Sequence, residues 1–319
     1  MHIALRIILA LLEVVYAYLE ALIFLILPTR FRKHKSIAGE IALVTGAGSG
    51  IGRLMALRLS RLGASLVLWD VSEAGLDETR RIIENDGGPV RSYLCDVSDR
   101  QMVYDVAERV RREVGNVTIL VNNAGIVNGK WFLETADERL EKTMQVNAVA
   151  HFWTVKAFLP SMISNNHGHI VTISSMAGRF ALPRLVDYCA SKFAATGFHE
   201  SLQMELELLG KTAVKMTNVQ PFFITTGMFT GVETSINPWV QNVMPLLSPD
   251  YVADTVVEAI LLNKPEVMIP RSMYIMMRLA VLMPKRAMRA LEDLMESRDF
   301  MAGFVGRELA GRPAPTKRS

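Results

Sequence analysis

A glycine-rich turn between an apolar run and a helical pattern constrains the fold of this chain more than any other feature. Residues 40–45 (Glu-Ile-Ala-Leu-Val-Thr) predict a strand, residues 46–52 read Gly-Ala-Gly-Ser-Gly-Ile-Gly, and residues 53–62 predict a helix. Glycines permit a tight turn, and they let the free amide groups at a helix N-terminus approach an anion such as a pyrophosphate. By itself the pattern also fits a plain tight turn.

An acidic residue at the end of the next strand strengthens the dinucleotide interpretation. The apolar run 65–69 leads into Asp70, about 20 residues past the glycines, where a carboxylate can accept hydrogen bonds from ribose hydroxyls. Such a carboxylate repels the 2′-phosphate of NADP, and Val-Ser-Glu at 71–73 adds no cation. NAD is therefore favoured over NADP, although Arg53 in the first helical turn is an argument for NADP. The residues expected to bind the cofactor here are Gly46, Ser49, Gly50, Ile51, Gly52 and Asp70.

Strand and helix patterns then alternate. Further strands are predicted at 90–95, 117–121, 169–174, 214–219 and 266–270, and helices at 99–114, 135–160 and 249–262. This alternation predicts an α/β fold, a single Rossmann-type, doubly wound parallel sheet. Because ligands bind at the carboxyl ends of such strands, the cofactor should also contact Asp96, Val97, Asn123, Ala124 and Gly125. Asp96 could instead cap a helix, and the Asn122–Asn123 pair could simply form a turn.

Candidate catalytic residues follow in the second half. Tyr188 and Lys192 are four residues apart, so a helix places both side chains on one face. A phenol titrates near ~10 in water, and a neighbouring cation favours the phenolate, which can accept a proton. This spacing occurs by chance in many helices, so the pair needs support from other residues. Ser175, at the end of a predicted strand, can point at the same substrate oxygen, and Asn147 lies on the inner side of the long helix 135–160.

The N-terminal segment predicts a membrane anchor at 1–35. Residues 3–27 are apolar except for Arg6, Glu13 and Glu20, and 25 helical residues would extend roughly 37 Å, more than a hydrocarbon core of about 30 Å. The charges recur every seven residues in one stripe, which favours a helix lying in the interface over one spanning the bilayer. A cleaved signal peptide or a buried core helix would also account for such a segment. The following basic residues should stay on the cytosolic side: Arg30, Arg32, Lys33 and Lys35.

Composition narrows the function classes. A net charge of +3 with dispersed basic residues gives no electrostatic footprint for nucleic acid. The only two cysteines, Cys95 and Cys189, are expected to be buried reduced thiols, and no ligand spacing predicts a metal site. At 319 residues the chain has room for one catalytic domain, assigned to 36–270. An apolar helical extension at 271–310 and a disordered tail at 311–319 complete the predicted organisation.

Two apolar segments bear on substrate and partners. Residues 222–231 should form a flap over the site, and its apolar side chains favour a lipophilic alcohol unless they merely pack the flap itself (Phe222, Phe223, Ile224, Met228, Phe229). Eight of the 18 methionines fall between Met268 and Met301. Such a flexible apolar surface suits lipid contact, a homodimer face or core packing. Basic residues beside it favour an anionic membrane: Lys285, Arg286 and Arg289.

Taken together, these motifs resemble the short-chain dehydrogenase/reductase superfamily from about residue 38 to 270. The matching elements are TGxxxGIG at 45–52, NNAG at 122–125, Asn147, Ser175 and YxxxK at 188–192. The resemblance implies that Tyr188 is the base, with its pKa lowered by Lys192 and by the positive nicotinamide ring. It implies that Ser175 orients the substrate oxygen and that Asn147 holds a water linking Lys192 to solvent. It also implies cofactor contacts from Tyr188, Lys192, Pro221, Ile224 and Thr226, although Phe222 stands where the family often has glycine.

Several segments are similar to a membrane-bound branch of retinol dehydrogenases. They include Leu-Val-Leu-Trp-Asp at 66–70, Asp-Tyr-Cys-Ala-Ser-Lys-Phe-Ala-Ala at 187–195 and Phe-Phe-Ile-Thr-Thr-Gly-Met-Phe at 222–229. The lipid-droplet 17β-hydroxysteroid dehydrogenases are the next most similar branch. The resemblance implies NAD-dependent oxidation of a lipophilic alcohol. Retinol is the first candidate substrate, and a 17β-hydroxysteroid is the second. It implies residence at the endoplasmic reticulum membrane or the lipid-droplet surface, with the catalytic domain facing the cytosol. A non-catalytic lipid-droplet scaffold is the alternative of another class.

Overall fold

The computed structural model describes residues 3, 5–9, 11–16, 32–232, 238–295, 300–301 and 303–305. The chain divides into two units, Met1–Ser36 and Ile37–Ser319. Ile37, the first residue of the second unit, is already buried in its core.

The first half of the second unit alternates strands and helices. Its elements are β1 (Ile41–Thr45), α1 (Gly50–Arg61), β2 (Ser65–Asp70), α2 (Glu73–Asn85), β3 (Val90–Leu94), α3 (Arg100–Glu113) and β4 (Ile119–Asn122). Two helices begin at side-chain caps that satisfy free backbone amides. Ser72 accepts a hydrogen bond from the amide of Gly75, and Asp99 accepts one from the amide of Met102.

The second half continues the alternation and ends in two helices. Its elements are α4 (Asp137–Met144), α5 (Ala150–Ser164), β5 (Gly168–Ile173), α6 (Val186–Leu208), β6 (Val214–Pro221), α7 (Pro238–Val243), α8 (Pro249–Leu261), β7 (Glu266–Ile269), α9 (Ser272–Leu282) and α10 (Lys285–Leu294). Ser248 caps α8 through the amide of Tyr251, as expected from a serine followed by proline at the first helical position.

The seven strands form one parallel sheet in the order β3-β2-β1-β4-β5-β6-β7. The central strands β1, β4 and β5 are almost wholly buried, because helices cover both faces of the sheet. From β1 the chain crosses first towards β2 and later to β4 on the opposite side. The carboxyl ends of β1 and β4 therefore flank the crevice where ligands bind in this topology. The predicted α/β fold with one doubly wound parallel sheet is confirmed.

The long helix predicted at 135–160 differs from the observed one. It begins at Asp137, contains a π-helical turn at Gln145–Val149, and continues past Pro160 to Ser164. Proline removes a single backbone hydrogen bond to the exposed turn before it. Beyond Pro160 the side chain of Met162 is buried against Gly168, the first residue of β5, and this packing holds the last turn in place.

The eight methionines of the C-terminal region are buried or half-buried. Met268, Met273, Met295 and Met301 are buried, and the other four are half-buried. The four buried methionines belong to the hydrophobic core, and Met276 and Met277 pack against it, which favours the core-packing interpretation for these six. Both cysteines are buried and unpaired, in agreement with the expectation of reduced thiols.

In the first unit, residues 5–9 and 11–16 are helical, and their apolar side chains are more than half exposed. Within the described part of the chain, no helix is long and apolar enough to cross a membrane. Much of the predicted anchor, at 17–31, and the predicted tail at 311–319 lie outside the described residues.

Candidate active site

The glycine turn leads directly from β1 into α1, and the structure explains two of its glycines. Gly46 has φ +67°, a left-handed conformation that favours glycine. A Cβ on Gly52 would lie 2.1 Å from the carbonyl oxygen of Gly46, so no side chain fits there. The side-chain nitrogen of Asn123 donates to the carbonyl of Thr45 at 2.8 Å, and this bond connects the turn to the end of β4. The turn thus leaves an open backbone cradle at the N-terminus of α1.

Asp70 lies at the end of β2 beside this cradle. One carboxylate oxygen accepts from the amide of Gly48 at 2.8 Å, and the other accepts from the amide of Ser72 at 2.9 Å. The guanidinium of Arg53 lies beside the glycine turn, where it pairs with Glu78 at 2.7 Å and donates to the carbonyl of Gly48 at 2.5 Å. Arg53 is not among the residues that line the cavity. The carboxylate is held in place with lone pairs still facing the cavity.

Asp96, after β3, is tied to a residue that sequence analysis missed. Its carboxylate accepts a hydrogen bond from Lys142 of α4 at 2.8 Å and from the Ser98 hydroxyl at 2.6 Å. Partial burial raises the Asp96 pKa, but the hydrogen bonds from Lys142 and Ser98 outweigh burial and lower it. The alternative interpretation of Asp96 as a helix cap is wrong, because Asp99 caps α3. Lys142 was missed because it is 46 residues away in sequence.

Ser175 and Tyr188 meet at the carboxyl end of β5. The Ser175 hydroxyl accepts from the amide of Ala177 at 3.1 Å and donates to the carbonyl of Pro221 at 3.4 Å. Burial raises the pKa of Tyr188, and a hydrogen bond with the Ser175 hydroxyl acts in the opposite direction. Both side chains are less than a tenth exposed and line the same cavity.

Lys192 lies on α6 one turn after Tyr188, beside the end of β5. Its ammonium donates to the carbonyl of Ile173 at 2.8 Å and lies 5.6 Å from the centre of the Tyr188 ring. Burial lowers the pKa of Lys192 to about 8. In the protein alone, the removal of the phenol from water dominates and raises the pKa of Tyr188. The lowering expected from Lys192 together with a bound nicotinamide ring stays a prediction.

Asn147 lies in the π-helical turn between α4 and α5. Its side-chain oxygen accepts from the amide of Ile126 at 2.8 Å, and its nitrogen donates to the carbonyl of Ile126 at 2.9 Å and to the Ser191 hydroxyl at 3.0 Å. Insertions of this kind in helices are frequent at functional sites. Asn147 is fully buried just behind Gly125 and does not itself line the cavity.

A cavity of about 390 Å³ joins these groups. Every residue predicted to contact the cofactor lines it: Gly46, Ser49, Gly50, Ile51, Gly52, Asp70, Asp96, Val97, Asn123, Ala124, Gly125, Tyr188, Lys192, Pro221, Ile224 and Thr226. The glycine cradle has room for a pyrophosphate, and the fixed carboxylate of Asp70 is placed for a ribose. The residues present therefore fit an adenine dinucleotide.

The other end of the cavity is apolar. The predicted flap lines it with Phe222, Phe223, Ile224, Met228 and Phe229. The loop between β5 and α6 adds a wall that sequence analysis did not identify: Phe180, Leu182 and Leu185. This loop has no helical or strand periodicity in its sequence. Its apolar residues could therefore not be assigned to cavity lining or to core packing from the sequence.

The C-terminal segment packs behind the flap. The ring of Phe300 lies edge-on to Phe222 and Phe223, with centroids 6.0 and 6.2 Å apart. Phe223 contacts Phe229 at 5.3 Å, and Phe229 contacts the ring of Tyr188 at 5.9 Å. Successive aromatic contacts therefore connect Tyr188 to Phe300, which lies more than a hundred residues later in the chain.

These features define an oxidoreductase of the dinucleotide-binding α/β class. They are a parallel sheet and, along one cleft, a glycine cradle, a strand-end carboxylate and a buried Ser-Tyr-Lys group. The model of the short chain dehydrogenase family matches residues 40–237. The chain belongs to that family.

Two relatives align with nearly the whole chain. It is 47% identical over 291 residues to epidermal retinol dehydrogenase 2 of Homo sapiens, covering 91% of this chain and 92% of that protein. It is 42% identical over 309 residues to 17-beta-hydroxysteroid dehydrogenase 13 of Homo sapiens, covering 97% and 99%.

Two solved structures are similar as well. A short-chain dehydrogenase/reductase from Burkholderia phymatum in complex with NAD is 28% identical, with a TM-score of 0.68, and covers 77% of this chain and 94% of its own. A metagenomic short-chain oxidoreductase in complex with NADP is 30% identical, with a TM-score of 0.60, and covers 74% and 98%.

Proposed function

We propose that this protein is a membrane-associated dehydrogenase that oxidises a lipophilic alcohol with NAD, with all-trans-retinol as the first candidate substrate. One observation carries the proposal: Ser175 and Tyr188 lie in the same cavity, with a glycine cradle at one end and an aromatic flap at the other. An alcohol placed between the two ends would have its hydroxyl at the polar pair and its apolar body against the flap.

In this proposal Tyr188 removes the hydroxyl proton, and Ser175 orients the substrate oxygen through a hydrogen bond. NAD, when bound, supplies the hydride acceptor and a positively charged ring beside the phenol. Lys192 holds α6 against the end of β5 through its bond to Ile173. Its buried ammonium also stabilises the charge that develops on Tyr188. Asn147 fixes the loop after β4 through its bonds with Ile126. It would hold a water that links Lys192 to solvent.

The preference for NAD rests on the surroundings of the adenosine end. Asp70 presents a carboxylate where NADP carries its 2′-phosphate, and like charges repel. Arg53, the one residue that argued for NADP, is paired with Glu78. Asp96, held by Lys142, lies where it could accept a hydrogen bond from the adenine amine.

Two relatives suggest the substrate class. Their names include retinol and 17-beta-hydroxysteroid dehydrogenase, and both align over more than nine-tenths of this chain. The aromatic flap fits either a polyene or a steroid, so a 17β-hydroxysteroid is the second candidate. We place the protein at the endoplasmic reticulum membrane or the lipid-droplet surface, attached through residues 1–35 with the catalytic domain in the cytosol. The exposed apolar side chains of the helical residues 5–9 and 11–16 and the cations at 32–35 support this attachment.

An assay of membranes containing the full-length protein tests the proposal. Retinol and estradiol are each offered with NAD and with NADP, and the expected result is retinal formation that depends on NAD. Faster turnover of estradiol would favour the steroid candidate, and preference for NADP would contradict the role of Asp70. No turnover of any lipid alcohol would favour a non-catalytic scaffold. Deletion of residues 1–35 should release the protein into the soluble fraction if that segment is the sole anchor.

A further inference from the structure

Helix α9 exposes an aliphatic stripe. Ile275, Leu279 and Leu282 are spaced four and three residues apart, so they share one face, and they are 67%, 51% and 80% exposed. Val281 beside them is 82% exposed. The methionines of the same helix turn towards the core, so the stripe is not the underside of a packed helix. A contiguous exposed apolar face of this kind marks a surface that contacts another phase or molecule.

Basic residues flank this stripe along the chain, and after it acidic ones begin only at Glu292 and Asp293. Residues 271–291 contain no aspartate or glutamate. Their exposed basic residues are Arg271, Arg278, Lys285, Arg286 and Arg289. Within the described part of the chain none of these five forms an ion pair with a carboxylate. We call the stripe of α9 together with these cations the α9 surface.

The α9 surface adjoins the flap of the cavity. At the start of α9 the Ser272 hydroxyl donates to the carbonyl of Val243 at 2.6 Å. Four residues after Val243, Leu247 donates its amide to the carbonyl of Phe223 at 2.8 Å and accepts from the amide of Thr225 at 2.9 Å. The short segment 243–247 therefore connects α9 directly to the flap.

We propose that the α9 surface docks on an anionic lipid surface, as a second contact in addition to residues 1–35, and orients the flap towards the lipid. This inference rests on the proposed function, since it supplies the route by which a lipid-dissolved alcohol reaches the cavity. An apolar stripe bordered by cations matches the interface of a bilayer or droplet, where acyl chains lie beneath anionic headgroups. A second copy fits less well, because a two-fold contact would bring the five cations of each copy together.

A local fluorescence probe tests this in the full-length protein. The native cysteines are buried, so a Leu279→Cys variant can be labelled selectively with an environment-sensitive dye. The protein is then bound to vesicles of phosphatidylcholine alone or mixed with phosphatidylserine. The matched control is Leu208→Cys, at the end of α6, where the native leucine is 89% exposed. We expect a blue shift at position 279 that is larger on the mixed vesicles, and none at position 208.

Removing two cations, as in Arg278→Gln with Lys285→Gln, should reverse most of the shift and weaken docking of this surface roughly tenfold or more. An unchanged emission at 279 on both vesicles would overturn the proposal. So would a shift that appears without vesicles and grows with protein concentration, because it would indicate a second copy. Retinol oxidation is measured in the same samples. Turnover without a shift contradicts the docking alone, and a shift without turnover contradicts the proposed function alone.

Discussion

The ammonium of Lys192 lies 5.6 Å from the centre of the Tyr188 ring and gives its hydrogen bond to the main-chain carbonyl of Ile173. The two side chains are neighbours on α6, but the lysine fastens the helix to β5 instead of bonding to the phenol. Burial therefore controls the pKa of Tyr188 in the protein alone and raises it. The polar partner of the phenol is Ser175, so a test of the base must separate these two residues from Lys192.

Replacing Tyr188 by phenylalanine should abolish most turnover while cofactor affinity is retained. The variant keeps the ring and its contact with Phe229 but loses the proton acceptor, so kcat should fall by about 10²- to 10⁴-fold. Steady-state kinetics and NADH fluorescence titration measure the two quantities. Tyr93→Phe is a matched control, because the Tyr93 hydroxyl bonds to Glu113 and does not line the cavity. Substantial turnover by Tyr188→Phe would defeat the assignment of the base.

The substitution Asp70→Asn should relax cofactor choice. An amide oxygen can still accept from the Gly48 amide, but the negative charge that opposes a 2′-phosphate is gone. We expect the ratio of kcat/KM for NADP over NAD to rise about tenfold or more, equivalent to about 1.4 kcal/mol. Glu73→Gln removes a nearby exposed carboxylate on α2 and serves as the control. An unchanged ratio in Asp70→Asn would exclude this carboxylate as the discriminating group.

Truncation of Phe300 should weaken substrate binding without touching the cofactor. Phe300 supports Phe222 and Phe223 from behind, so Phe300→Ala leaves a gap into which the flap can relax. KM for a retinol-sized alcohol should rise several-fold, while the dissociation constant for NADH is unchanged. Phe152→Ala, on α5 and outside the cavity lining, is the control. Equal losses with a short-chain alcohol and with retinol would show that Phe300 acts on general stability.

Acid should destabilise the fold through two buried histidines. Burial lowers the pKa of His151 to about 3, aided by the charges of Lys192 and His199, and lowers that of His199 to about 4. Histidines in the unfolded chain have a pKa of ~6.5. Below that pH the unfolded state therefore binds protons that the native state does not bind. Stability should fall as pH decreases from about 6.5 towards 4, by up to about 1.4 kcal/mol per pH unit for each histidine.

Urea unfolding at a series of pH values measures this slope. Each single variant, His151→Gln or His199→Gln, should remove about half of it, and the double variant should flatten the profile. The histidines contribute nothing further once the pH exceeds their unfolded value. A double variant with the slope of the original protein would assign the acid sensitivity to other groups.

Local sequence patterns were enough to predict much of the site. The glycine turn, Asp70 and the Tyr188–Lys192 pair follow from spacing along single elements, and parallel strands bring their carboxyl ends to one edge whatever else the chain does. The partner of Asp96 was not predictable. Lys142 reaches it from another helix, and no period or spacing connects residues 46 positions apart.

The sequence by itself determined the α/β fold, the cofactor edge and the polar pair of the site, because each depends on periodicity, turn chemistry or strand-end position over a few residues. Only the tertiary structure decided that Arg53 pairs with Glu78, that most of the C-terminal methionines pack in or against the core, and that Phe300 packs against the flap from behind. It also decided that burial raises the Tyr188 pKa. Those outcomes depend on which distant residues share a contact and on how much water they exclude, and neither quantity is a local property of the chain.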